Sequence, residues 1–500
     1  MIGRLALRSL TAHPVRSAVL AAGFGAGVGV MAILLGVAEV VLDQAASPAL
    51  VGGGDVTVRM SPQVPARMVL SGTLQSKALR DRVRVAAPWQ TEELYLVRGN
   101  GTSVAVDARG GIPSLERALG DNETSGVSAW RDTRDDEDWR HASPEDALRQ
   151  LDRFHAIPDA PAWADSWAEW LYFNGRAQDT RFYLTFLVGP RLPNGRREAG
   201  VRLQLDRGGE VESFGARAQL TDAEVSSAPD LTVGANRVRL SGLTYQIDLD
   251  LRDGQGRRVH GRIEIEGVPG RVVPPLEIAG AKGWRTGYVV PVMSGALRGE
   301  IVVGAGSADG AGGRGAERLS LAGGTGYHDH NWGFWQGVSW QWGQVQQGDL
   351  SFLYGRVFPP REAADPERIP GFVGALGPDG PLGYATTVTI LEQNDESGQP
   401  RSIVVRGRGP TLDLSLRFDV TSKVTTQMTQ GPLASGVNFL QLRGTYTVNG
   451  HAGDKTFDFT APGSAETFRG QESASQIPNP KSQIPSPNPT PNLNPNASPK

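Results

Sequence analysis

The feature that most constrains this fold is a strict alternation of apolar and polar residues in short segments. Residues 245–251 alternate, a turn sequence follows at residues 253–256, and residues 259–266 alternate again. Successive side chains of a strand point to opposite faces, so this pattern predicts a β-hairpin with one buried face. Residues 412–418 repeat the period. We therefore predict an all-β fold built from antiparallel sheets that close as barrels or sandwiches.

The length and composition bound the number of domains and exclude some chemistry. Five hundred residues with 39% hydrophobic content can form two or three domains. A net charge of -3 gives no electrostatic reason to expect nucleic-acid binding. The chain has no cysteine, which excludes disulfides, thiolate chemistry and Cys-ligated metals but leaves the compartment open.

The N-terminus has the pattern of a membrane anchor. Residues 17–38 contain no charge, and about twenty apolar residues are enough to span a bilayer as a helix. Three arginines precede this span, while Glu39 and Asp43 follow it. The positive-inside rule then places the N-terminus in the cytoplasm and the β-domains outside it, in the periplasm or at the cell surface. A signal peptide cleaved near Ala45 is the alternative.

The beginning of the chain also resembles an ABC-transporter permease of the macrolide-exporter type. The resemblance rests on residues 5–10, the apolar span and residues 52–58. It implies a permease-like transmembrane anchor at residues 1–50, and it suggests ABC-transporter subunits as partners. Residues 51–160 are predicted to form a small extracytoplasmic module that ends in a charged linker.

The segment Gly326-Tyr327-His328-Asp329-His330-Asn331-Trp332-Gly333 is the strongest candidate for a functional site. On a strand, His328 and His330 would point to one face. A metal would need a further ligand, and the other histidines form no ligand-like pair, so no metal is predicted. Asp329 and His330 could instead form a proton-donating unit if burial shifts a pKa. The other interpretation is structural, with a turn held by Asp329 and Asn331 and with the tryptophans as core.

Two segments together resemble the carotenoid 1,2-hydratase (hydroxyneurosporene synthase) family and its AttH-like, lipocalin-like relatives. Residues 326–333 match one family signature, and residues 169–175 match a second, with Leu171 replacing one tryptophan. The resemblance covers residues 160–470 and implies two calycin-like β-barrels in tandem, with an apolar ligand site where they meet. The first lipocalin-like domain would be residues 161–315. The second, with the histidine motif, would be residues 316–470, followed by a disordered Pro/Asn-rich tail at residues 471–500.

The resemblance also implies a cofactor-free site that adds water to a carbon–carbon double bond. His330 and Trp332 match the pair implicated in the family, and Tyr354 matches a family tyrosine. Arg356 stands where the family has a carboxylate, so either Asp329 supplies the acid or hydration is absent. The predicted catalytic residues are His330, Asp329 and Tyr354. The predicted substrate-binding residues are Trp332, Trp170, Tyr172, Glu169, His328, Trp342 and Arg356.

Three functions remain open at this point. The first is a hydro-lyase that hydrates an isoprenoid, such as a carotenoid, or another long apolar substrate by acid catalysis. Aromatic rings would stabilise the cationic intermediate of that reaction. The second is a non-catalytic module that binds a lipid or other hydrophobic ligand beside an ABC exporter. The third is a structural envelope protein, in which His330 and Asp329 are buried far from any cavity.

Overall fold

The computed structural model describes residues 56–59, 66–75, 79, 81–99, 103–120, 129–140, 143–304, 316–428 and 437–469, together with residue 15. The chain divides into two compact units, Met1–Ala147 and Leu148–Lys500. The predicted permease-like anchor and the predicted disordered tail lie outside the described residues, apart from Val15. Within the described ranges, no helix has the length and apolar character needed to span a bilayer. The anchor, its topology and the exporter partner therefore stay predictions.

Within its described residues, the first unit contains one two-stranded hairpin and short helices. Strands β1 and β2 pair antiparallel along their whole length. Helix α2 begins with a proline, which suits the first helical turn, and ends at Gly120, whose φ of 83° is in the left-handed region. The elements are α1 (Ala66–Gln75), β1 (Trp89–Val97), β2 (Ser103–Gly111), α2 (Pro113–Leu119), α3 (Arg134–Arg140) and α4 (Pro144–Leu151), the last of which crosses into the second unit.

The first large sheet of the second unit is a nearly closed barrel. Its strands are β3 (Trp167–Ala177), β4 (Thr180–Arg191), β5 (Arg197–Arg207), β6 (Glu210–Leu220), β7 (Thr232–Val233), β8 (Asn236–Ser241), β9 (Thr244–Arg252), β10 (Arg258–Glu266), β11 (Val273–Ala279), β12 (Arg285–Val303), β13 (Glu317–Ser320) and β14 (Gly324–Phe334). Between them lie helix α5 (Asp222–Val225) and 3₁₀ turns at Ala164–Ser166 and Ala281–Gly283.

Eight of these strands form the circuit of the barrel. Strands β3 to β6 pair in sequence, and β6 then meets β9 at a single residue pair, Gly215 with Arg252. The circuit continues through β10, β12 and β14, and β14 pairs with β3. The hairpin of β9 and β10 is the one predicted from the alternation, with Ile247 opposite Ile263 and both side chains buried. That prediction is confirmed.

The second large sheet has nine antiparallel strands. Their spatial order is β18-β17-β16-β15-β23-β22-β21-β20-β19, and large buried side chains such as Phe352, Phe418 and Tyr446 form its core. The strands are β15 (Ser339–Gln347), β16 (Leu350–Phe358), β17 (Phe372–Gly377), β18 (Gly380–Ala385), β19 (Thr387–Asn394), β20 (Pro400–Gly409), β21 (Leu412–Met428), β22 (Val437–Ala452) and β23 (Lys455–Arg469), and a 3₁₀ turn lies at Pro366–Arg368. Two large antiparallel sheets confirm the all-β prediction.

The histidine motif belongs to the first sheet, not to the second. We placed the motif in a second domain at residues 316–470, but its strand β14 pairs with β12 and β3. The reason is that β3 at the start of the first sheet needs a partner on its free edge, and β14 supplies it. The change of sheet therefore occurs between β14 and β15 rather than at the predicted domain boundary after residue 315.

Candidate functional site

The two family-like segments are neighbours in one sheet, because β3 and β14 pair directly. Asp329 lies opposite Tyr172, and His330 lies opposite Leu171. Since side chains alternate along a strand, each segment has two chemically different faces. Glu169 and His330 point into the core of the first sheet. Asp329 points to the opposite face, where it lines a pocket together with Trp170 and Tyr172 of β3. The motif thus contributes to two separate environments.

On the core face, His330 is held between acceptors on both sides of its ring. Its Nε2 lies 2.9 Å from Oε1 of Glu169, and its Nδ1 lies 3.2 Å from the carbonyl oxygen of Leu151. A ring whose two nitrogens both face acceptors is best satisfied as the imidazolium, which donates twice. Burial by itself would lower the pKa of His330, but hydrogen bonds and charge from Asp152 and Glu169 raise it to about 9.

Two fully buried carboxylates balance this charge. Asp152 Oδ2 lies 2.8 Å from Nε2 of His328, and the hydroxyl of Tyr245 donates to the same oxygen at 2.5 Å. Glu169 accepts from the backbone N–H of His155 and lies 2.7 Å from its Nδ1. Burial would raise the pKa of both carboxyls, yet the imidazoles around them outweigh it and hold each pKa below its ordinary value. We call His155, Asp152, Glu169, His328 and His330 the core network.

Part of the core network also has the spacing of a metal site. His155, Glu169 and His330 each offer one ligand atom, and these atoms lie within 4.8 Å of one another. Sequence spacing did not suggest this set, because His155 follows α4 and reaches Glu169 only through the fold. Oε1 of Glu169 is within hydrogen-bond distance of a ring nitrogen of both His155 and His330. The hydrogen bonds among the three side chains therefore satisfy them as they stand.

The core network predicts a loss of stability on the alkaline side. The raised pKa of His330 contributes stability that is present below its unfolded value of 6.5 and is lost as the pH rises through about 9. The depressed pKa values of Asp152 and Glu169 contribute stability in the opposite range, above about pH 4.

We expect the urea concentration at the unfolding midpoint of the native chain to fall between pH 6.5 and 9 more steeply than that of His330→Gln. The exposed His451→Gln variant should follow the native curve, and equal slopes for all three chains would contradict the assignment.

On the opposite face of β3 and β14 lies a large pocket. It has a volume of about 1120 Å³ and lies between the outer face of the first sheet and strands of the second, which include β15, β16, β22 and β23. A cavity of this size lined mainly by apolar groups is typical of small-molecule sites. Its aromatic lining comes from both sheets and includes Trp170, Tyr172, Tyr288, Trp335, Trp340, Trp342 and Phe468.

Asp329 places a carboxyl group in the wall of this pocket. Its side chain is only 4% exposed, and it accepts hydrogen bonds from Tyr327 Oη at 2.9 Å and from Asn331 Nδ2 at 2.7 Å. Burial raises the pKa of Asp329 well above its ordinary value, and the charge of Glu466 raises it further against these two hydrogen bonds. Burial therefore favours the neutral, protonated form of the Asp329 carboxyl group.

A second carboxyl group, Glu466 of β23, faces the same pocket from the second sheet. Tyr172 Oη donates to its Oε1 at 2.8 Å. Burial raises the pKa of Glu466 to about 7, although hydrogen bonds from Tyr172 and Gln441 act to lower it. The pocket therefore contains two carboxyl groups, one from each sheet, whose pKa values are both raised by burial.

The structure separates the predicted site residues into two groups. Asp329, Trp170, Tyr172, Trp342 and Arg356 line the pocket. The remaining five do not share that lining: four of them lie on the opposite faces of β3 and β14, because of the two-residue period of a strand, and Tyr354 lies further along β16. His328, His330 and Glu169 belong to the core network, Trp332 packs beside His155 in the same core, and Tyr354 is buried in the core of the second sheet.

Arg356 occupies the pocket wall where the family pattern has a carboxylate. Its Nη2 donates to the carbonyl oxygen of Pro366 at 3.2 Å and lies 3.7 Å from Oε2 of Glu367. Its guanidinium also stacks over Phe358. Arg356 is thus held by local contacts and cannot replace a proton donor, because a guanidinium stays charged in proteins.

Four residues of the two environments, Glu466, Asp152, His155 and Tyr288, belong to no motif of the sequence. Tyr288 lines the pocket, accepts from Trp342 Nε1 at 2.9 Å and lies 2.7 Å from the hydroxyl of Tyr327. No sequence pattern points to Glu466 as a site residue, because it lies 137 residues beyond Asp329 in a strand with no motif. One signal was present: Glu466 is a charged residue within a segment of small and apolar residues, Ala461 to Phe468.

Comparison with known proteins leaves the family open. No protein-family profile and no curated protein matches this chain. Among solved structures, the chain is similar to a protein provisionally named AttH from Nitrosomonas europaea, with 14% identity, a TM-score of 0.35, and coverage of 63% of this chain and 97% of that one. It is also similar to CghA, with 12% identity, a TM-score of 0.37, and coverage of 66% and 95%. Because these values are low, function has to be argued from the pocket itself.

Proposed function

We propose that the pocket binds a long apolar molecule, such as an isoprenoid, and adds water to one of its double bonds without a cofactor. The observation that carries this proposal is a buried carboxyl group, Asp329, in the wall of an aromatic cavity, where burial raises its pKa well above the ordinary value. An ordinary aspartic acid is ionised at neutral pH and has no proton to give. Burial reduces that difficulty, because it raises the pKa of Asp329 and so favours the form that carries the proton.

The chemistry requires a proton donor and a surface that tolerates positive charge. Asp329 would transfer its proton to one carbon of the double bond, which leaves a tertiary carbocation at the other carbon. The faces of aromatic rings attract cations, and indole rings do so most strongly. Trp170 packs against Trp335 with ring centroids 4.6 Å apart, and Trp342 lies on the opposite sheet. Water then captures the cation to give a tertiary alcohol.

Asparagine at position 329 tests the role of the acid. Asp329→Asn keeps the shape of the side chain but removes the proton, so we expect hydration to fall at least about 100-fold, the low end for general acid catalysis. The purified full-length chain is incubated with lycopene or neurosporene, and the alcohol is detected by liquid chromatography and mass spectrometry. Absorbance of the bound polyene reports whether the variant still binds.

The matched control is Asp419→Asn, which changes an exposed aspartate paired with Arg417 and should leave the rate unchanged. Full activity of Asp329→Asn would show that another group supplies the proton. Absence of product from the native chain with both polyenes would end the hydration proposal.

The second candidate function is binding of a hydrophobic ligand without catalysis. Arg356 favours it, because a positive charge in the pocket wall opposes formation of a nearby carbocation. Native mass spectrometry of the purified chain should then reveal a co-purifying lipid, and Trp170→Ala should reduce its occupancy. A bound lipid with no turnover by the native chain supports this function over hydration.

A further inference from the structure

We infer that Glu466 is the base that deprotonates the attacking water, so that the two sheets supply the two halves of an acid–base pair. This inference rests on the proposed hydration. Asp329 comes from β14 of the first sheet, and Glu466 comes from β23 of the second. Neither sheet alone contains both groups.

The position of Tyr172 relates the two carboxyl groups to each other. Tyr172 lies directly opposite Asp329 in the ladder between β3 and β14, which places the two side chains side by side on the pocket face. The hydroxyl of the same tyrosine donates to Glu466 Oε1 at 2.8 Å. Tyr172 therefore neighbours Asp329 in the ladder and donates to Glu466, and all three side chains line the pocket.

The surroundings of the two groups favour opposite roles. Asp329 is almost completely buried, and the charge of Glu466 further opposes its ionisation. Glu466 is stabilised as the carboxylate by hydrogen bonds from Tyr172 and Gln441, and its pKa of about 7 leaves a large ionised fraction at neutral pH. Asp329, the more deeply buried of the two, is therefore assigned as the acid, and Glu466, which is partly exposed and accepts from Tyr172, is assigned as the base.

The step balances without any further reactant. The π electrons of the double bond take the proton of Asp329, which forms a C–H bond and leaves the adjacent carbon cationic and Asp329 ionised. A lone pair of water forms the C–O bond, and Glu466 takes the proton that the water oxygen loses. Exchange with solvent then returns a proton to Asp329 and removes one from Glu466. The net change is the addition of one water molecule.

Deuterium exchange separates the two roles. In Glu466→Gln, Asp329 still protonates lycopene, but water is not activated, so the Asp329 carboxylate takes back either hydrogen from the same carbon. In heavy water we therefore expect deuterium in the recovered lycopene and hydration reduced at least about 10-fold. Asp329→Asn should give neither exchange nor alcohol. Glu264→Gln, at an exposed ion pair with Arg262, should behave as the native chain.

The outcomes distinguish this inference from the hydration proposal. No alcohol from the native chain means that the hydration proposal fails and the inference fails with it. Alcohol from the native chain together with a native rate in Glu466→Gln overturns the inference alone. Loss of both exchange and hydration in Glu466→Gln, with polyene binding retained, also overturns it, because the variant would then lack the first step. Glu466→Asp is the second variant, and partial recovery of the alcohol is expected from its retained carboxylate.

Discussion

Glu169→Ala is expected to lower the free energy of unfolding by about 3–5 kcal/mol, the usual cost of removing one partner from a buried ion pair. Glu169 is fully buried and accepts from His330 Nε2 and from the backbone N–H of His155. Without the carboxylate, the imidazolium of His330 loses one of its two anionic neighbours. Protein around it cannot supply the solvation that water gives to the unfolded chain.

Urea denaturation of the full-length chain at pH 7 measures this effect. Glu264→Ala is the matched control, because that carboxylate forms a surface pair with Arg262 and should contribute less than about 1 kcal/mol. A change in Glu169→Ala no larger than that of the control would mean that the core network is not ionised in the folded protein.

Trp332→Ala is expected to cost about 3–5 kcal/mol of stability as a large-to-small core substitution. Trp332 is 2% exposed and stacks on the ring of His155, with centroids 4.3 Å apart. Its indole also lies against Gly287 of β12, where a Cβ atom would be 2.1 Å from Cε2 of the ring. The sequence assigned this tryptophan to the substrate, but its contacts are those of a core residue.

Trp170→Ala is the informative comparison for Trp332→Ala. Trp170 lines the pocket two strand positions before Tyr172, so its loss should weaken polyene binding more than it weakens the fold. We expect Trp332→Ala to show the reverse, which thermal unfolding and polyene absorbance measure on the same samples. If Trp332→Ala keeps native stability but no longer binds the polyene, Trp332 contacts the ligand and is not a core residue.

The alternation of residues was sufficient to predict an all-β chain, because the two-residue period of a strand follows from local geometry. The hairpin of β9 and β10 was found for this reason, since its turn is encoded within residues 253–256. Pairing between distant strands has no such local code. The ladder between β3 and β14 joins residues about 160 apart, so the order of segments along the chain predicts a second domain for the motif although its strand pairs within the first sheet.

The site was predictable in part for the same physical reason. The sequence identified β3 and β14 as the important strands and noted that His328 and His330 share a face. It did not show which face lies toward ligand, because both faces of these strands are buried and no polar pattern distinguishes them. Glu466 and Asp152 reach their partners only through tertiary contacts, so no spacing along the chain could have revealed them.

The late position of β14 has a consequence for synthesis of the chain on the ribosome. The first sheet cannot close until residue 334 has emerged, because β14 fills the gap between β3 and β12. Until then both strands present open edges, which are prone to pair with other chains. His328 and His330 lie on β14, whereas their partners Asp152 and Glu169 precede them by more than 150 residues. These hydrogen bonds therefore cannot form until β14 has been synthesised. Closure of the barrel and formation of its buried ion pairs therefore both depend on the late pairing of β14. A chaperone that covers the edge of β3 until then would protect the chain from wrong pairing.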